Sequence, residues 1–111
     1  MSTETVKIID SSRKVVATAQ VAEREEGFAG LVDLSPMPAS LREKFDEYEE
    51  IVNGQMFSLL DEIEEQIRAF PLRVVFEDGL ESSMEGLQIY PSSRRVSFRL
   101  VKEAAQSAAR A

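Results

Sequence analysis

The sequence predicts an α+β domain: an N-terminal β-meander, one long amphipathic helix over residues 38–70, and a C-terminal β-meander, with an antiparallel sheet packed on the helix. Three observations predict it. Leu41, Phe45, Tyr48, Val52, Met56, Leu59, Ile63, Ile67 and Phe70 recur at steps of three and four, the spacing that lines one face of a 3.6-residue period. β-Branched and apolar runs bounded by turn residues stand on both sides of that stretch. A chain of 111 residues with 43% hydrophobic and 30% charged residues is of a size and composition to bury one core.

In chain order, Val6–Ile9 reads as a short strand, and Asp10–Arg13 as a turn. Lys14–Ala22 is the returning strand, Glu23–Gly27 a charged turn, and Phe28–Leu34 a third strand. Ser35–Ala39 leads into the helix. Ser40 with Glu43 fits a capping box, with Ser35 before Pro36 as the alternative cap. Pro71 ends the helix, since it lacks the N–H that the ladder needs. Asn53-Gly54 is its weak point, because glycine costs about 1 kcal/mol relative to alanine inside a helix. The apolar stripe keeps its phase from Val52 to Met56, which favours one continuous rod over a helix–turn–helix.

Beyond Pro71, Leu72–Asp78 alternates as a half-buried strand and Asp78-Gly79 marks a turn. Leu87–Tyr90 and Arg95–Val101 form a hairpin around Pro91–Arg94. The domain then covers residues 1–101, and 102–111 is an alanine-rich tail. One short segment recurs: residues 8–15 match residues 89–96 around a shared Ser-Ser-Arg-basic-Val core, as two hairpins with similar turn residues would.

Composition removes several chemistries. With no histidine and no cysteine, the commonest general base and the most reactive nucleophile are both missing, as are thiolate metal sites. No glycine-rich phosphate loop or nucleophile elbow occurs. No catalytic, cofactor-binding or metal-ligating residue is therefore assigned, and no cofactor is expected. The net charge of −7 argues against a nucleic-acid partner, whose phosphates are held by lysine and arginine. The absence of a long apolar run or a signal-like N-terminus, together with the lack of cysteine, points to a cytoplasmic protein with no membrane partner.

The charge is unevenly placed. Residues 38–70 hold nine acids against Arg42, Lys44 and Arg68, a net of −6, which leaves −1 for the rest of the chain. Most of those carboxylates project opposite the apolar stripe, where a solvated face is the ordinary reading and a basic partner the sharper one. Phe57 breaks the pattern by projecting to the polar side. It is either ordinary core beneath a wrapping strand or an anchor for a second helix or subunit. The second reading makes Gly54, Phe57, Leu60 and Asp61 the candidate interface. A helix this long would overhang a small sheet, so a homodimer is expected. Arg73, Arg94, Arg95 and Arg99 form a possible basic patch on the opposite sheet face.

The functional expectation is a small acidic protein-interaction module of the accessory, adaptor or inhibitor kind, acting as a homodimer. Its alternatives are a nucleic-acid-mimicking inhibitor of a basic protein and a carboxylate-dependent, metal-assisted enzyme.

Overall fold

The structure, a computed structural model, describes residues 3–101, so the tail expected at 102–111 lies outside the described residues. Six strands form a closed antiparallel barrel: β1 (Glu4–Ile9), β2 (Val15–Arg24), β3 (Gly27–Asp33), β4 (Arg73–Val75), β5 (Glu81–Tyr90) and β6 (Arg95–Leu100). Their order around the barrel is β1-β2-β3-β6-β5-β4, and β4 closes it by pairing Lys7, Ile8 and Ile9 of β1 with Val75, Val74 and Arg73. Between β3 and β4 the chain makes two helices, α1 (Ala39–Asn53) and α2 (Leu60–Arg68), joined by a 3-10 turn at Phe57–Leu59.

This corrects the expected architecture in two ways. The fold is a β-barrel, not an α+β sheet packed on a helix. The single rod over 38–70 is instead a helical hairpin that breaks after Asn53. The physical reason for the break is a complete Schellman cap. Gln55 takes the left-handed conformation (φ 57°), its N–H donates to the Val52 carbonyl at 3.1 Å, and the Met56 N–H reaches back to the Ile51 carbonyl at 3.0 Å. Gly54 itself is right-handed (φ −85°) and serves as the close-packed residue of the cap.

The apolar stripe that seemed continuous belongs to two helices facing one core. Leu41, Phe45, Tyr48 and Ile51 are buried from α1, and Ile63 and Ile67 from α2. Met56 and Leu59, assigned to the buried stripe by phase, are exposed at the turn. The capping box is not formed either. The N-cap is Pro38, with no side-chain bond, and Ser35 donates its amide and hydroxyl to Asp33 Oδ1 at 3.0 and 2.7 Å.

The lumen is filled by period-2 side chains. Val6 and Ile8 face inward beside Ala19 and Ala17, Val32 lies beside Ala19, and Val96 lies beside Ile89. Small residues on β2 and β3 leave room for an aromatic cluster in which the Phe28 ring stands 5.4 Å from Phe98 and 5.3 Å from Phe76. Leu34, Met37 and the helical hairpin join the same hydrophobic cluster. Among the described residues no helix is long and apolar enough to cross a membrane.

The two Ser-Ser-Arg turns share a local feature but differ in length, Ile9 pairing with Val15 across the first and Tyr90 with Arg95 across the second. Both link adjacent strands, β1 to β2 and β5 to β6, and both place an arginine in the left-handed region, Arg13 at φ 66° and Arg94 at φ 57°. In an all-antiparallel barrel of this order they lie at the same end.

Candidate interaction surface

The hairpin end is built by the cap. Two backbone bonds fix Gln55 and Met56, and a third, from the Leu59 N–H to the Met56 carbonyl at 2.9 Å, starts the 3-10 turn. Met56, Phe57 and Leu59 are thereby held outward, 41%, 59% and 47% exposed. Three large apolar side chains are thus exposed within four residues, whereas Leu31 and Leu80 are exposed singly elsewhere. Of the candidate interface, Gly54, Phe57 and Asp61 are exposed, and Leu60 is half-buried against the core. A side chain on Gly54 would meet the Met56 Cε at 3.0 Å and the Glu50 carbonyl at 3.2 Å, so glycine is what lets Met56 fold back over the helix end.

Carboxylates flank this patch along the chain, although Glu64 lines the cleft described below. From Phe45 to Ile67 the chain contains eight acids and neither lysine nor arginine. Glu49 and Glu50 sit in the last turn of α1, where the helix dipole is already negative; Asp61 and Glu62 sit in the first turn of α2, where it is favourable. Lys44 spans the two helices to Gln66 at 2.7 Å, nearer the barrel.

A second concavity, a cleft of about 630 Å³, opens between the C-terminal part of α2 and β5. On that side β4 is only three residues long and pairs β5 only at Glu81–Ser83, leaving the rest of that edge of β5 to be flanked by α1. Its wall includes Ile67, Phe70, Leu72 and Leu87, and its polar groups include Tyr48, Gln88, Arg68 and Arg99. The Tyr48 ring stands 5.9 Å from Tyr90, and burial, then the neighbouring Tyr90, pushes the Tyr48 phenol up to about 12. A bulge in β5 between Glu85 and Gln88 puts Gly86 at φ 65°, with the Arg99 guanidinium lying against it.

The four arginines of the possible basic patch have different surroundings. Arg73 on β4 is held by Glu81 at 2.7 Å and donates to Ser83 at 2.7 Å. Arg99 on β6 lies 3.8 Å from Glu85. Arg94 is in the β5–β6 turn, close enough to Asp33 to help hold that carboxyl below its usual range, after the two Ser35 hydrogen bonds. Arg95 is exposed at the start of β6. Among the described residues no three carboxylates converge as a metal site would require.

Sequence reasoning singled out Phe57 with Gly54, Leu60 and Asp61, and assigned Met56 and Leu59 to the buried stripe, where the structure exposes them. The available signal was the adjacent pair Leu59-Leu60 together with Ile51, which over-fill a single stripe and require a second helix direction. No protein-family model, curated protein or solved structure is matched by this chain.

Proposed function

We propose that this protein is a protein-interaction module, of the adaptor, accessory or inhibitor kind, that engages its partner through the end of the helical hairpin. The observation that carries this reading is the exposed cluster of Met56, Phe57 and Leu59 on a turn pinned by backbone hydrogen bonds. Such a patch gains apolar burial on contact at about 25 cal/mol per Å², and the backbone hydrogen bonds of the turn reduce the loop entropy it gives up. Phe57 supplies the large aromatic anchor that dominates many interfaces.

Homodimerisation through the same patch is the second reading, favoured by the self-complementary character of an apolar tip. The overhanging rod that first suggested a dimer is absent, and apposed tips would bring the carboxylates of both copies together. A different partner is therefore the first choice. Replacing Phe57 with Ser tests both readings. The melting temperature stays within a degree or two, while the captured partner, or the dimer mass by light scattering, is lost. A variant with an unchanged partner list and unchanged mass would remove this surface from consideration.

A further inference from the structure

We infer that the segment docking on the hairpin end is a cationic amphipathic helix of another protein, its apolar face laid over Met56, Phe57 and Leu59 and its lysines or arginines set against the carboxylates of the two flanking helices. The inference rests on the interaction reading above and adds the chemistry of the partner. Its ground is charge complementarity. Of the eight acids between Phe45 and Ile67, Asp46 faces Arg42 at 3.5 Å and Glu49 is taken up by Ser92 of the β5–β6 turn. The other six have no ion-pair partner among the described residues.

Their placement is costly in isolation. Asp46 with Glu50, and Asp61 with Glu65, are like charges one helical turn apart, an unfavourable spacing on a helix. Glu50 adds to the negative end of α1, whose last turn contains no basic residue. A cation from a partner relieves both effects at once. A neutral or acidic segment relieves neither, and a second copy of the chain compounds them. Outside residues 38–70 the protein carries a net charge of only −1, so the negative charge that steers an approaching cation is concentrated on the segment that holds the apolar anchors.

The test uses the full chain and a synthetic amphipathic helical peptide with a leucine face and lysine flanks, alongside versions with every lysine replaced by glutamine or by glutamate. Binding is read by calorimetry and by amide chemical shifts at increasing salt. The lysine peptide is expected to bind at least about tenfold more tightly than the glutamine peptide, with affinity falling as salt rises. Shifts should concentrate between Asn53 and Glu62, and the charge-preserving variants Phe57→Ser and Leu59→Ser should each weaken binding by about tenfold.

Equal binding of the lysine and glutamine peptides would overturn the cationic partner and leave the interaction reading standing. Equal binding of the lysine peptide to wild type and Phe57→Ser, with diffuse shifts, would show attraction by charge alone and overturn the docking site. No binding of any peptide to the wild-type chain would also overturn this inference, whereas the interaction reading is judged separately by the partner that Phe57 captures.

Discussion

Ser92, in the turn between β5 and β6, donates its backbone amide to the Glu49 carboxylate at 3.1 Å and its hydroxyl to the other oxygen of the same group. Forty-three residues separate them, so this contact fastens the helical hairpin to the barrel. Hydrogen bonds to a charged acceptor contribute about 1.5–3 kcal/mol when buried, and less where water competes. Glu49 is half-buried. Glu49→Ala is accordingly expected to lower unfolding free energy by about 1 kcal/mol. Amide exchange in α1 should quicken more than in β1 or β2; uniform quickening would mean that hairpin and barrel open together.

Gln55 occupies the left-handed position of the Schellman cap, where glycine is the usual residue. A non-glycine residue there carries a steric penalty of about 1–2 kcal/mol, partly offset by the greater chain entropy of unfolded glycine. Gln55→Gly should therefore raise stability by about 0.5–1 kcal/mol, read as a higher urea midpoint with unchanged slope. A loss of stability would show that the glutamine side chain makes a compensating contact.

The strands were legible in the sequence because their signal is local. All six overlap apolar or alternating runs bounded by turn residues, although β4 is shorter than the run Leu72–Asp78 suggests and β5 begins at Glu81 within what reads as a loop. Barrel closure was not legible. It depends on β1 pairing with the three residues of β4, and nothing in either segment specifies a partner so distant in sequence. The helix break was obscured for a different reason. Two helices that fold back over one core can keep a common phase across their turn, so the periodicity from Val52 to Met56 carried no information about continuity. Phe57 stood out because it violated that periodicity, and its exposure follows from the turn that periodicity concealed.

Gly30 offers a test of how tightly the barrel wall is packed. It pairs with Val21 on β2 and Val96 on β6, and a Cβ built there would lie 1.8 Å from the Gln20 carbonyl oxygen and 2.7 Å from the Val21 Cα. Both obstacles are backbone, so no rotamer change relieves them. Glycine inside a strand marks such a close approach of another backbone. Gly30→Ala is expected to destabilise by about 3 kcal/mol or to prevent folding, at the upper end of overpacking costs. A stable Gly30→Ala protein would mean that β2 and β3 separate more easily than their register implies.

The β1–β2 turn gives the stability a defined acid limb. Asp10 Oδ1 accepts the Lys14 amide at 3.0 Å, the Ser12 hydroxyl at 2.8 Å and the Ser12 amide at 2.9 Å. The Lys14 amide first, then the Ser12 hydroxyl, hold the Asp10 carboxyl below its ordinary value, and Arg73 followed by Arg13 does the same for Glu81. A carboxylate with a depressed folded-state pKa binds its proton more weakly than in the unfolded chain. Its contribution is therefore complete above the unfolded-state value and disappears as pH falls through the folded-state value. Asp10→Ala should be less stable than wild type at neutral pH, and the difference should shrink below about pH 4 as the wild-type carboxyl takes up its proton. Denaturant titrations of both proteins across that range measure it. A gap that persists undiminished at the acid end would mean that Asp10 supports the turn through its shape alone, with its charge contributing nothing.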